Sequence, residues 1–273
     1  MFYVKSRPSG LSSAFVTLAL IYHCTVQSIQ STNRNALMAL LANAVQTVIF
    51  ITAFYLMFSI LGVRGIAIRG DFIVYIMTGI FIFMTHVKTM GAVAKSAGPT
   101  SSMMKHAPMN TAVAIASSAL GALYLQLISA FVVLFVYHVA FEPVHVDDPI
   151  GVFGMFLLAW LTGAAVGMVF LAMTPWWPGF VKIAITIYSR ANMIASGKMF
   201  VANSLSYTML KMFDWNPLFH VIDQTRGFAF INYNPHNSSI SYPLYVALAL
   251  MMIGLMGEFY TRRHASLSWD AAR

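Results

Sequence analysis

The sequence is poor in everything that a soluble enzyme is built from. It has one cysteine, Cys24, eight acidic residues, and charged side chains at only 9% of its 273 positions. A lone thiol excludes an internal disulfide framework and a thiolate metal cluster. Soluble domains carry about 25% charged residues, so a chain that is 59% hydrophobic cannot cover a globule with polar surface. No GxxxxGK[ST] motif is present. The nearest fragment, "SGKM" at 196–199, lacks the upstream glycine and the hydroxyl residue. Without that backbone cradle for phosphates, the chain is not expected to hydrolyse ATP. The histidines, at 23, 86, 106, 138, 145, 220, 236 and 264, show no paired i, i+4 spacing with acids, and no metal site is expected. "HVDD" at 145–148 reads as a solvated loop before it reads as a cation site. No Ser-His-Asp arrangement is readable without geometry, and nothing rich in Ser, Gly or Pro divides the chain. We read residues 1–273 as a single domain.

What is there is apolar sequence in long runs. A spanning helix needs roughly 20 mainly apolar residues, and six candidate spans lie at about 36–63, 72–94, 111–140, 150–173, 180–200 and 243–260. Nineteen methionines and twenty-one phenylalanines fit flexible packing toward lipid or a channel. The formal charge of +8 does not point to nucleic acid, because the basic residues sit between apolar segments, as membrane topology requires. Residues 11–30 read as an amphipathic helix lying along the interface, too polar near Gln27, Ser28 and Gln30 to span. Lys5 and Arg7 before "LSSAFVTLALIYHC" resemble a signal peptide, but no small-residue cleavage site follows and cleavage is not expected.

Six spans put both termini on one side. Lys5, Arg7, Arg34, Lys88, Lys95, Lys105, Lys182, Arg262, Arg263 and Arg273 then share the side of the termini, against Arg64, Arg69, Lys198, Lys211 and Arg226 on the other. Ten against five places the termini in the cytoplasm. The third outer loop, about 201–242, is too long for a tight turn and too apolar to be free. "VANSLSYTMLKMF" and "NPLFHVIDQTRGFAF" both read as short helices, the second starting at Pro217 after Asn216 as cap. Backbone dipping into lipid must be helical or buried in protein.

Four local features carry more information. Arg190 falls near the centre of the fifth span, where a charge costs about 2.5–3.5 kcal/mol on insertion scales; it is expected to face a watery cavity or a buried carboxylate. "GAAVG" at 163–167 is a GxxxG pattern that lets another helix approach the fourth span closely. The inner loop "KSAGPTSSMMKHAPMN", 95–110, has room for a short helix at "TSSMMKHA" capped by Thr100 or Ser101. Phe50, Tyr55, Phe81 and Tyr188 offer rings on which a substrate could stack, although plain membrane packing is the simpler account of each.

"DWNPLFHVIDQTRGFAF", "RANMIASGKMFVANSL", "MMKHAPMN" and "EFYTRRHA" together resemble segments of ABC-2-type permeases that export polysaccharides, over most of the chain and most strongly from about 95 to 262. The nearest likeness is to the membrane subunit of capsule polysaccharide exporters, with O-antigen and teichoic acid exporters sharing the design. The resemblance implies an all-α fold of six transmembrane helices, an N-terminal amphipathic interface helix and two short re-entrant outer helices between spans five and six. It implies a homodimer in the bacterial inner membrane and two separate ATPase subunits that bind the ATP and magnesium. The substrate would be a lipid-linked glycan in a conduit at the dimer axis, with periplasmic and outer-membrane export proteins as further partners. The chain itself would be no enzyme and need no cofactor. Thr100, Ser101, Met103, Met104, Lys105 and His106 would form the helix that couples to the ATPase. The conduit would be lined by Arg190, Lys198, His220, Asp223, Arg226, Phe50 and Tyr55. His220, Asp223 and Arg226 are spaced by three along one helical face, which leaves open whether they pair, contact the polymer or form a local network. The sequence departs from the pattern before span one, where Arg34 stands alone and Asn43 occupies the place of a proline. Competing readings are an exporter of a drug or small lipid in the same superfamily, and an integral-membrane transferase, which needs an acid or histidine cluster at one membrane face.

Overall fold

The computed structural model describes residues 10–32, 36–60, 62, 70–98 and 110–264. Among them every regular element is a helix: α1 (Gly10–Thr32), α2 (Ala36–Ile60), α3 (Phe72–Ala94), α4 (Thr111–Ala140), α5 (Pro149–Met173), α6 (Pro178–Ala195), α7 (Tyr207–Phe213), α8 (Pro217–Ala229) and α9 (Ser241–His264), with a 3-10 turn at Ala202–Ser204. The helix starts are written in polar residues. Asp71, Asn110, Asp148 and Asn216 each accept a hydrogen bond from a first-turn backbone N–H, satisfying donors that a helix start leaves without partners. Pro149, Pro178 and Pro217 follow at the first helical position, where a missing N–H costs nothing.

Five helices are long and apolar enough to cross a membrane: Leu37–Ile60, Phe72–Ala94, Thr111–Ala140, Pro149–Met173 and Ser241–His264. The chain is therefore a multi-pass α-helical membrane protein. The segment expected as a span at 180–200 is α6. Its 18 residues extend about 27 Å at 1.5 Å per residue, and Lys182, Arg190 and Asn192 lower its hydropathy. The N-terminal helix forms where expected. It packs on α4 and touches α2.

The bundle has a clear inside. The windows of α3 and α5 are each 72% buried, against 28% for α2, 33% for α4 and 17% for α9, so α3 and α5 form the central pair. Lipid supplies no hydrophobic force between helices, and small residues that admit close van der Waals contact take its place. A Cβ added at Gly163 would sit 2.4 Å from the His86 carbonyl oxygen, and one at Gly167 would sit 2.7 Å from that of Met90. The GxxxG of α5 thus receives the backbone of α3. On the other side, Gly254 of α9 abuts Met168 and Gly257 abuts Ala172. A side-chain chain crosses the central pair: His86 on α3 bonds Thr162 on α5 at 2.9 Å through Nδ1, and Tyr188 on α6 at 3.0 Å through Nε2. Outward faces carry Ile49, Phe135 and Met256, all well exposed, as suits hydrocarbon surroundings.

Any side chain at Gly163 must push α3 away. Gly163→Leu should destabilise the purified protein by about 3 kcal/mol or more, at the upper end of overpacking costs, and lower its thermal midpoint in detergent. Gly154→Ala, where nothing lies within 4 Å of the new methyl group, should leave the midpoint unchanged or raise it slightly. Equal effects at both positions would contradict the close α3–α5 contact.

Candidate functional site: the buried polar knot between α6 and α9

The helical path of α6 ends at Gly197, whose φ of 76° lies in the left-handed region that glycine enters without strain. A Cβ there would also strike the Phe219 ring at 2.7 Å. The turn folds residues 197–200 back against the bundle and leaves their carbonyls away from water. Arg226 of α8 meets them. Its Nη1 donates to the carbonyls of Gly197 at 2.9 Å and Phe200 at 2.6 Å, and its Nη2 to that of Lys198 at 2.7 Å. The guanidinium is 1% exposed and stacks 4.1 Å from the centre of the Tyr75 ring on α3. A planar fork with several fixed donors suits this task, which a single ammonium cannot perform.

The other polar residues of α8 have separate partners. Asp223 accepts from the Tyr233 hydroxyl and, at 2.7 Å, from Ser238. Burial, followed by the neighbouring carboxylate, holds the Tyr233 phenol above its usual range. His220 accepts the Ser239 N–H at Nδ1, 3.2 Å, which leaves the proton on Nε2 to reach the Asp214 carbonyl at 2.7 Å and its carboxylate at 3.3 Å. Asn216 caps α8 through Oδ1 while its amide donates to Asn192 and to the Ala195 carbonyl, both at 2.9 Å. Tyr242 closes the far side by donating to the Trp215 carbonyl at 2.7 Å. α8 therefore sits between α3, α5 and α9 with most of its polar groups matched inside the protein, while the Arg226 Nε has no partner among the described residues. Both short helices expected in 201–242 are present as α7 and α8.

His220, Asp223 and Arg226 are thus brought together on one buried helix, but no Asp223–Arg226 ion pair forms. Of the arrangements the spacing left open, the geometry is that of a local network. Lys198 lies against the same knot. It is 3% exposed and its Nζ has no hydrogen-bond partner. The ammonium rests 3.4 Å over the Phe83 ring and 4.8 Å from that of Phe54, a cation–π contact in a desolvated setting.

The remaining conduit candidates lie elsewhere. Phe50 is half-buried against the core. Tyr55 is 41% exposed and borders a groove of about 410 Å³ between α2 and α4 lined almost wholly by apolar side chains. Arg190 is exposed on α6, in line with the exposed Phe180, Ile183, Ile187 and Ile194. Neither a cavity nor a carboxylate receives it among the described residues. Thr100, Ser101, Met103, Met104, Lys105 and His106 lie outside the described residues. Among the described residues no three His, Cys, Asp or Glu side chains converge to hold a metal, and Asp148 of "HVDD" serves as the cap of α5. Sequence reasoning missed the partners of the knot: Tyr75, Asn192, Tyr233 and Ser238 carry no spacing signal, since they reach α8 only through the fold.

Arg226→Met should unseat the turn by removing three charge-assisted bonds at once, at a cost of about 3 kcal/mol or more. Arg226→Lys keeps the charge and should recover less than half of that loss in a detergent melting experiment. Full recovery by lysine would show that charge, and not the fork, secures residues 197–200. No protein-family model matches the sequence, and no curated protein matches it.

Proposed function

We propose that the chain is the permease subunit of an ATP-driven exporter that passes a lipid-linked polysaccharide, of the capsular type, across the bacterial inner membrane. In this reading α6 is the fifth of six spans and α9 the sixth, α7 and α8 re-enter the membrane from the outer face, and both termini are cytoplasmic. The reading rests first on the resemblance of 95–262 to polysaccharide-exporting permeases. The observation that supports it most is the setting of Arg190. Phe180, Ile183, Ile187, Arg190 and Ile194 recur at helical spacing on one exposed face of α6. An arginine presented to hydrocarbon costs about 2.5–3.5 kcal/mol even on the mildest scales. A face that is apolar around one cation suits a second copy of the chain with a wetted path between the two, and a guanidinium there suits an anionic or phosphate-linked polymer.

The motor belongs to other subunits. Two ATPase chains carrying ATP and magnesium would bind the inner loop, 95–110, and their closure would favour one of two global arrangements of the spans. Energy enters through differential contacts between those arrangements, and this chain performs no bond chemistry. α8 and its knot would form a firm collar at the outer end of the path, holding a broken helix rigid while the spans around it move.

Arg190→Ala should reduce surface polysaccharide at least about tenfold, equivalent to about 1.4 kcal/mol, with the same amount of protein in the membrane and glycan retained inside the cell. Normal surface polysaccharide would remove Arg190 from the path. A photo-crosslinker at Met103 or Lys105 should capture a co-expressed ATPase encoded beside this chain, and the same group at Ile231 on the opposite face should not. Capture from Ile231 alone would reverse the proposed topology.

A further inference from the structure

A second polar region lies apart from the knot. A cleft of about 630 Å³ lies between α1, α2, α3, α4 and α6, at the end of α3 that leads into the inner loop. Its wall carries two cations, Lys88 and Lys95, and no acidic residue. They stand seven positions apart, two turns of one helix, so both point from the same face of α3. Lys88 is half-buried and is steered by Gln46, whose Oε1 accepts its Nζ at 2.5 Å. Lys95 is exposed at the rim, as is Ala42, so the cleft reaches the outside of the chain.

Neutral polar side chains continue the wall, bonded to one another. Gln126 donates to Asn43 at 3.1 Å, and Asn43 donates to Ser129 at 2.9 Å, fixing two amides on α2 and α4 beside the lysines. Between the two cations the floor is Gly91, where an added Cβ would meet nothing within 4 Å. The face of α3 between the two lysines is thus open, with no neighbour against it among the described residues. Ile29, Leu125 and Ile185 supply apolar walls to the same cleft. Paired cations, fixed amides and an apolar flank together match a phosphate group on an apolar stem.

We propose that this cleft binds a phosphoryl group, with Lys88 and Lys95 as its cations, and that the group is the head of an anionic lipid whose stem lies along the apolar wall. Gln46 holds Lys88 toward the head, and the absence of a side chain at Gly91 makes room for it. The site belongs to this chain alone and stands whether or not an ATPase drives transport.

The test uses the full chain purified in a neutral detergent, with phosphatidic acid, phosphatidylcholine and inorganic phosphate as probes and the thermal midpoint as readout. Phosphatidic acid should raise the midpoint in a saturable way, and phosphatidylcholine, whose head is zwitterionic, should not. Lys88→Gln with Lys95→Gln should weaken the apparent affinity at least tenfold. Gly91→Leu fills the floor without touching a charge, and it should abolish the response while leaving the melting of the lipid-free protein intact. A response to inorganic phosphate equal to that of phosphatidic acid, lost in the same variants, would keep the phosphoryl site and overturn the lipid as its source. Equal stabilisation by phosphatidylcholine, or an unchanged response in both the lysine and the glycine variants, would overturn the site itself.

Discussion

A polypeptide that breaks its helix away from water must find donors for the carbonyls it exposes, and Arg226 is where this chain finds them. The turn at Gly197 frees the carbonyls of Gly197, Lys198 and Phe200, and one guanidinium answers all three. Everything after α6 depends on that answer. With residues 197–200 secured, Asn216 can reach back to Asn192 and Ala195, α8 can lie between α3, α5 and α9, and the chain can rise again as α9. The helix that brings Arg226 into place is itself stitched down by His220 and Asp223, so the polar residues of one short stretch act as a set. Their net worth is conformational: each buried group that finds a partner avoids a penalty of about 1–3 kcal/mol.

The central helices obey the complementary rule. Besides the His86–Thr162 bond, α3 and α5 gain their contact by absence of side chain at Gly163 and Gly167. Close backbone packing and internal hydrogen bonding are two answers to one problem, since the hydrophobic effect does not distinguish a helix partner from lipid. Three cations illustrate the consequences. Arg226 is held through both terminal nitrogens, Lys198 is sheltered by the faces of Phe83 and Phe54, and Arg190 stands exposed on an apolar stripe.

Most of the helical layout was legible in the sequence because it depends on local properties. Span boundaries at 72–94 and 111–140 coincide with α3 and α4, and Asn216–Pro217 announces α8, since caps and prolines act on their immediate neighbours. The GxxxG announced a close approach without naming its partner, which is α3. α6 was harder to read: the apolar run from 180 to 200 continues through a glycine turn that hydropathy alone does not register. The knot was legible as residues and not as contacts. His220, Asp223 and Arg226 were visible, whereas Tyr75 and Tyr233 reach them only because helices distant in sequence meet. The cleft beside Lys88 and Lys95 was spelled out as two lysines at a two-turn spacing, but the empty floor at Gly91 exists only in three dimensions.

α3 joins the two polar regions. Near one end its Lys88 and Lys95 line the cleft, and toward the other Gly79 presses on Lys198 and Arg226, sixteen residues from Lys95, or about 24 Å at the helical rise. No proline interrupts it. An unbroken rod passes a displacement at one tip on to the other, so the lysine-lined cleft and the knot around Arg226 are joined by a single stiff shaft.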